Sequence, residues 1–219
     1  ERVTVLLGRA SVAESAAVVT DAAAALSAIP GIRFLSTLRR GNVHGALDAG
    51  LAPWLLPGRM RLDDGRAHLA GVWPGVAAGG GLDTEAMLRA AAAGELSLLI
   101  LLGADPLGDF PDRTLAAAAL AKVPTVIAVD QFVTGSVAHA SVILPAAGIT
   151  EVDGTTTNLE RRISVQHARV TPPGTARPDW IIAADLAWQL GHDLGLDSVE
   201  GSRAEMAKVA PSWAGVTEE

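Results

Sequence analysis

Between residues 82 and 150 the chain alternates short apolar runs with alanine-rich segments, and this alternation restricts the fold more than any other feature. The apolar runs occupy 96–102, 124–129 and 142–144 and are built from leucine, isoleucine and valine without polar residues at every second position. Continuous runs of this kind are typical of strands that are covered on both faces, as in a parallel sheet. The pattern therefore predicts an α/β fold with a doubly wound, mostly parallel, Rossmann-like sheet.

Helix start and stop signals support this alternation. Asp83 and Asp112 each precede an alanine-rich segment, as N-cap residues do, and Ser11 with Glu14 forms a capping-box pattern. Pro30 and Gly31 end the segment that follows Ser11, and an apolar run comes next. These signals predict helices at 12–29, 84–93, 112–121, 136–139, 180–190 and 202–210, and a first βαβ unit with strands at 3–7 and 32–35.

The domain organisation predicted from these elements is one α/β domain over 1–210. It consists of the βαβ unit at 1–36, an irregular excursion at 37–81, a main α/β part at 82–210 and a loose tail at 211–219. The excursion is rich in glycine and proline and shows no sustained period. Loops this long are unusual unless they contact a partner or a ligand. Two interpretations stay open: the excursion wraps toward neighbouring domains, or Trp54 and Trp73 pack it on its own sheet.

Composition excludes several classes of function. Cysteine is absent, which excludes disulfides, thiolate zinc sites, cysteine nucleophiles and cysteine-ligated iron–sulfur clusters within this chain. A formal net charge of −7 without lysine or arginine runs argues against a nucleic-acid surface. The five histidines lack metal-ligand spacing, no apolar run is long enough to span a bilayer, and no catalytic constellation is recognisable. We therefore expect no metal site and no direct membrane insertion.

Polar residues follow the apolar runs where strands are expected to end. Gly103 and Asp105 follow the first run, Asp130 follows the second, and Asn158 and Glu160 lie in the polar loop after the third. Carboxyl ends of parallel strands meet at one edge of an open α/β sheet, which is where such folds bind ligands. These five residues are thus the candidate ligand site. The alternative is a solvated loop held by its own Asx and threonine hydrogen bonds.

The segment 141–162 also resembles the signature of the molybdopterin-oxidoreductase superfamily. The matching elements, in order, are Leu-Pro-Ala at 144–146, Glu151, Gly-Thr at 154–155, Asn-Leu-Glu at 158–160 and Arg162. Upstream, Gly-Ala-Asp-Pro at 103–106 and Val-Asp-Gln-Phe at 129–132 with Thr134 fit the same family. Within it, the segments 38–46, 172–174 and 177–180 resemble the G subunit of respiratory NADH-quinone oxidoreductase, particularly its actinobacterial forms. The resemblance covers roughly residues 3–195.

This resemblance implies a molybdopterin-oxidoreductase-type fold, in which the candidate edge cradles the guanine-nucleotide arm of a pterin. Asp130 and Asn158 would be the ligands. Three positions depart from the family pattern: Gly135 replaces a glutamate, Arg161 replaces a glycine, and Asp105 replaces an asparagine. These departures weaken nucleotide binding, and the G subunit is thought to have lost the pterin. Glu160 with Arg161 and Arg162 would form an ion pair, the commoner interpretation, or clamp a phosphate.

The resemblance therefore implies a scaffold and interface portion of the G subunit, without its own redox centre and not catalytic alone. The parent polypeptide would carry iron–sulfur clusters in a missing amino-terminal region. That region and the other subunits of the complex would be its partners, at the cytoplasmic side of the bacterial inner membrane, with the isolated fragment soluble.

Two alternatives remain. One is the guanine-nucleotide-binding portion of an active molybdenum enzyme such as a formate dehydrogenase or nitrate reductase, with molybdopterin guanine dinucleotide as cofactor. The other is a free-standing Rossmann-like module, disfavoured because 8–11 contains one glycine instead of a Gly-x-Gly-x-x-Gly pattern.

Overall fold

The computed structural model describes residues 3–8, 16–37, 40–73, 75–210 and 213–216. The chain begins with β1 (Val3–Leu7), α1 (Ala16–Ser27) and β2 (Ile32–Ser36). The two strands pair in parallel, as the sequence indicated. The predicted cap at Ser11 lies outside the described residues. Among the described strands, β1 and β2 pair only with each other, so this βαβ unit forms a sheet of its own.

The segment at 40–81 contains regular structure where the sequence showed no sustained period. It forms α2 (Val43–Asp48), β3 (Leu55–Leu56), a 3-10 helix at Pro57–Arg59, β4 (Met60–Arg61) and α3 (Leu62–Ala70). β3 and β4 pair antiparallel. The elements are short, and therefore too short for a period of 3.6 or 2 to stand out from the glycine and proline around them.

The main part contains a three-stranded parallel sheet. The elements in order are α4 (Thr84–Ala93), β5 (Leu98–Leu102), α5 (Pro106–Asp109), α6 (Arg113–Lys122), β6 (Thr125–Asp130), a 3-10 helix at Val137–His139 and β7 (Val142–Pro145). The strands lie in the order β5-β6-β7. The predicted α/β class with parallel strands is confirmed. The parallel strands, however, are divided between this sheet and the β1–β2 sheet.

The two predicted aspartate caps are present. Asp83 accepts a hydrogen bond from the Ala86 N–H at 2.8 Å, and Asp112 accepts one from the Leu115 N–H at 2.9 Å. α4 and α6 pack together on one face of the sheet, where alanines allow close approach. The buried core there consists of Leu88, Ala91, Leu101, Ala116, Ala119, Leu120, Val123, Val126, Ala128 and Val137. This core fixes the positions of the strand ends described below.

The opposite face of this sheet is open, which contradicts the expectation that both faces are covered. Leu98, Ile100 and Leu102 of β5 and Val142 of β7 are about half exposed, at 45%, 50%, 54% and 43%. The physical reason is that α4 and α6, which flank β5 in the chain, both pack against the face that carries Leu101. Continuous apolar strands predict burial on both faces but do not reveal which residues provide it.

The signature segment, expected to be a polar loop, contains a hairpin. β8 (Gly154–Thr157) and β9 (Ile163–Gln166) pair antiparallel, from Gly154 opposite Gln166 to Thr157 opposite Ile163. Threonines have high strand propensity because their branched side chains suit a pleated surface. Two helices complete the chain, α7 (Asp179–Gln189) and α8 (Val199–Val209). No described helix has the length and apolar character needed to cross a bilayer.

The last helix completes the core of the 40–81 segment. Leu56, Leu62 and Leu69 are buried with Val209 of α8. The Trp73 indole N–H also donates to the Glu205 carboxylate at 2.6 Å across a separation of 132 residues. Trp73 therefore packs the segment as one of the two interpretations proposed, but it does so against α8 and not on a sheet. Trp54, the other tryptophan, stays 57% exposed.

Candidate functional site

Two of the five candidate residues lie side by side at the carboxyl edge of the sheet. The Gly103 N–H donates to the Val129 carbonyl at 2.8 Å, which places Gly103 next to Asp130, the last residue of β6. Gly103 has a φ of +56°, a conformation that favours glycine. A Cβ at Gly103 would meet no described atom within 4 Å, so this backbone faces open space. The sheet thus brings Gly103 and Asp130 together as the sequence predicted.

Asp105 lies at the same edge, but its carboxylate is engaged by Ser136. Its Oδ1 accepts from the Ser136 hydroxyl at 2.5 Å and from the Ser136 N–H at 3.3 Å. The Ser136 Oγ in turn accepts from the Leu107 N–H at 2.9 Å. Ser136 is fully buried, and its hydroxyl is the main cause that lowers the pKa of Asp105. Asp105 therefore ties the loop after β5 to the loop after β6.

Asp130 is the candidate with an acceptor to spare. Its Oδ1 accepts from the Phe132 N–H at 3.0 Å, and its Oδ2 accepts no hydrogen bond from the part of the chain that the structure describes. Asp179, the first residue of α7, shares this region. Burial, and secondarily the Asp130 charge, raises the pKa of Asp179. Two carboxylates thus influence each other at this edge.

Asn158 and Glu160 lie in the turn between β8 and β9, where their visible bonds are local. The Asn158 Oδ1 accepts from the Arg162 N–H at 2.9 Å, and Glu160 pairs with Arg162 at 3.4 Å on the exposed surface. The ion-pair interpretation of Glu160 therefore applies to Arg162. The guanidinium of Arg161 points to another partner, Asp48, at 3.5 Å.

Asp48 is the centre of a polar network that sequence reasoning did not identify. Its side chain is buried and accepts from the Arg59 Nε. The Arg59 Nη2 lies 2.7 Å from the His44 Nδ1 and donates to the His44 carbonyl at 3.0 Å. Because a guanidinium only donates, the His44 Nδ1 accepts and its ring proton is on Nε2. Burial, then the charges of Arg59 and Arg161, lowers the pKa of His44 against the opposing effect of Asp48.

Backbone strain accompanies this network. Among the described residues, the non-glycine positions with positive φ are Asn42, Arg59 and Arg161, at 58°, 57° and 65°. Arg59 and Arg161 are members of the network, and Asn42 immediately precedes α2, which carries Asp48. Strained positions of this kind persist only where surrounding contacts hold them. The available signal in the sequence was the Arg-Gly-Asn-Val-His-Gly run at 40–45, without its distant partners.

Beside the network lies a cavity of about 340 Å³, here called the Arg40 pocket. Its lining residues are Arg40, Gly41, Asn42, Val43, His44, Thr157, Asn158 and Leu159. The Thr157 N–H donates to the Asn42 Oδ1 at 2.8 Å, which joins the two walls. Arg40 also pairs with Asp109 of α5 at 2.7 Å, so one exposed ion pair links the pocket to the segment that follows β5.

A second cavity of about 400 Å³ lies between β7 and α7, with mainly apolar walls that include Leu144, Ile182 and Leu186. Arg177 and Asp185 form an ion pair of 2.5 Å in its lining. None of the five candidate residues lines it.

These features define an α/β domain with polar residues at the carboxyl edge of a parallel sheet. The family profile described as molybdopterin oxidoreductase matches residues 24–189, and the chain belongs to that family.

Relatives with different activities share this domain. The chain is 34% identical to the alpha subunit of an F420-dependent formate dehydrogenase of Methanocaldococcus jannaschii, over 81% of this chain and 27% of that protein. It is 34% identical to the catalytic subunit of an assimilatory nitrate reductase of Bacillus subtilis, over 69% and 22%. It is 32% identical to a G subunit of NADH-quinone oxidoreductase, the second of two in Rhizobium meliloti, over 86% and 22%. The chain thus spans about a quarter of the length of these relatives.

A solved structure with a similar backbone is acetylene hydratase from Pelobacter acetylenicus. The match has a TM-score of 0.49 at 20% identity and covers 64% of this chain and 20% of that one.

The residues present at the sheet edge do not fit the whole nucleotide arm of a pterin. The Asp130 Oδ2 could accept from a guanine or ribose donor. The carboxylate of Asp179 lies close enough to interact with that of Asp130, however, and a pair of carboxylates repels a pyrophosphate. Asp105 is held by Ser136, and Asn158 lines the Arg40 pocket. No chemical step through a pterin is therefore derived for this chain.

Proposed function

We propose that this chain is the molybdopterin-oxidoreductase-like part of the G subunit of an NADH-quinone oxidoreductase, where it acts as a scaffold and interface. The observation that carries this proposal is the engagement of the candidate ligands in bonds within the chain. Asp105 bonds to Ser136, and Asn158 caps the turn at Arg162. Among the three relatives described above, the Rhizobium meliloti protein matches the largest share of the chain.

In this proposal the whole enzyme passes electrons from NADH to quinone and couples this to proton translocation. Iron–sulfur clusters would be held by other parts of the parent polypeptide, since this chain lacks cysteine to ligate them. The domain would associate with partner subunits at the cytoplasmic side of the inner membrane. The apolar open face of the β5-β6-β7 sheet supports an interface role, because exposed apolar patches mark interaction surfaces.

Affinity purification tests the scaffold proposal directly. The gene encoding this chain would be tagged in its host, and the purified material assayed for NADH-quinone reductase activity and iron content. Recovery of both supports the proposal. Recovery of formate dehydrogenase or nitrate reductase activity with molybdenum contradicts it.

A second function is favoured by Gly103 and Asp130, which are adjacent and leave one carboxylate oxygen free of bonds to the described residues. In that case the chain is the guanine-nucleotide-binding portion of an active molybdenum oxidoreductase, and the formate dehydrogenase relatives support it. Calorimetric titration with GDP, with ADP as control, distinguishes the two. GDP-selective heat that is lost in Asp130→Asn supports nucleotide binding. No heat from the folded chain supports the scaffold.

A further inference from the structure

The Arg40 pocket contains a buried hydroxyl without a partner among the described residues. Thr157 is 3% exposed, and its Oγ1 makes no hydrogen bond with any of them. A buried polar group in this state costs free energy, and native structures rarely retain one without a reason. The hydroxyl belongs to a residue that lines a cavity of about 340 Å³, which is large enough for a ligand group.

The polar groups around this hydroxyl suit an anion. The side-chain amide nitrogens of Asn42 and Asn158 donate no hydrogen bond within the described ranges, because each amide uses its oxygen instead. Arg40 contributes a guanidinium whose partner, Asp109, is 52% exposed. Exposed ion pairs contribute little, so Arg40 can exchange partners at small cost. The lowered pKa of His44 shows that Arg59 and Arg161 together outweigh Asp48 in the local field.

The remaining walls indicate which anion fits. Val43 and the half-exposed Leu159 provide apolar surface next to the donors. A glutamate side chain carries methylene groups that can contact such walls while its carboxylate reaches the donors. Inorganic anions cannot use the apolar walls. Guanidinium and carboxylate also match in planar geometry, which strengthens their hydrogen bonds.

We propose that the Arg40 pocket binds the carboxylate of a glutamate side chain from a neighbouring polypeptide. Arg40 and the amide of Asn158 donate to the carboxylate oxygens, and Thr157 gains the partner that it lacks among the described residues. This inference rests on the proposed scaffold function, because it identifies one contact by which the domain holds a partner.

Nuclear magnetic resonance titration of the 219-residue chain tests the chemistry of the pocket. The probe is acetyl-Ala-Ala-Glu-Ala-Ala-amide, and the matched peptide contains glutamine in place of glutamate. We expect the glutamate peptide to shift the side-chain amide signals of Asn42 and Asn158, with a dissociation constant on the order of 1 mM. The glutamine peptide should bind at least about tenfold more weakly, since it lacks the charge. Equal binding of the two peptides overturns the proposal.

Sodium acetate and sodium phosphate distinguish a polypeptide from a free anion. Binding of either salt as tightly as the glutamate peptide would assign the pocket to small anions and overturn the polypeptide assignment. Weaker binding of both supports it.

Two variants and a control separate a binding role from a structural one. Arg40→Gln should weaken the glutamate peptide at least about tenfold, whereas Arg89→Gln should not, although Arg89 forms an equally exposed ion pair with Glu85. Thr157→Val should weaken binding but raise the urea midpoint, because it removes an unsatisfied buried hydroxyl. A loss of both binding and stability would make Thr157 a structural residue and overturn its assignment.

Affinity purification with Arg40→Gln separates failure of this inference from failure of the proposed function. Recovery of the respiratory partners with the wild-type chain and their loss with Arg40→Gln, but not with Arg89→Gln, supports both. Undiminished recovery with Arg40→Gln overturns the pocket alone. Absence of those partners from the wild-type chain overturns the scaffold function instead.

Discussion

Substitution of Ser136 by alanine should strongly destabilise the edge of the sheet, although the change removes a single oxygen atom. The buried hydroxyl donates to the Asp105 carboxylate and accepts from the Leu107 N–H. Loss of a hydrogen bond to a charged group costs about 1.5–3 kcal/mol, and an unsatisfied backbone N–H costs about 1–3 kcal/mol. Asp105 is partly exposed, so water offsets part of the first contribution. We expect a net loss of about 2–4 kcal/mol in the free energy of unfolding at pH 7.

The same substitution should change the pH dependence of stability. The Ser136 hydroxyl is the main cause that lowers the pKa of Asp105 in the folded state. A carboxyl with a lowered folded pKa contributes stability above its unfolded pKa of about 3.9, and this contribution is lost as the pH falls through the folded value. In Ser136→Ala the folded pKa rises toward the unfolded one. The difference between wild type and variant should therefore be largest at pH 7 and smaller at pH 3.

Urea unfolding followed by circular dichroism at both pH values measures these quantities, with Ser141→Ala at an exposed position as the control. A loss below about 1 kcal/mol at pH 7 would show that Ser136 contributes no more than an average neutral hydrogen bond. An equal loss at pH 7 and pH 3 would show that the interaction with the Asp105 charge is not responsible.

Two further predictions concern the core and the polar network. Leu120→Ala should lower the free energy of unfolding by about 2–5 kcal/mol, because Leu120 is 3% exposed in the core under α4 and α6, whereas Leu190→Ala at a 77% exposed position should change it by less than about 0.5 kcal/mol. Urea unfolding checks this, and equal effects at the two leucines would contradict the assigned core. His44 has a lowered folded pKa, so the unfolded chain takes up the proton first and stability should fall as the pH drops below about 6.5. The slope should stay below about 1.4 kcal/mol per pH unit and should decrease in His44→Gln. An unchanged slope in that variant, measured by urea unfolding between pH 5 and 8, would assign the pH dependence to another group.

The elements predicted best from the sequence were those that local signals specify. Asp83 and Asp112 cap helices because an aspartate bonds to N–H groups two or three residues away, which requires no knowledge of the tertiary fold. Continuous apolar runs identified β5, β6 and β7 for the same reason. The open face was not predictable in this way, since apolar strands do not indicate whether a helix covers them.

The candidate site shows the same limit. Gly103 and Asp130 were expected together because parallel strands end at a common edge, and the structure places them there. The partner of Asp105 was missed because Ser136 is 31 residues away, and the contact of Asn42 with Thr157 spans 115 residues. Pairings over such distances depend on the packing of whole elements and leave no periodic trace in the sequence.

The core shared by the 40–81 segment and α8 has a consequence for synthesis of the chain on the ribosome. The Trp73 side chain is made 132 residues before its partner Glu205. At about 5–20 residues per second, roughly 7–26 s pass before α8 is complete enough to cover Leu69. During that interval the apolar residues of the segment lack their final shelter. The nascent chain is therefore most exposed to aggregation, and to capture by chaperones, while its main sheet is being translated.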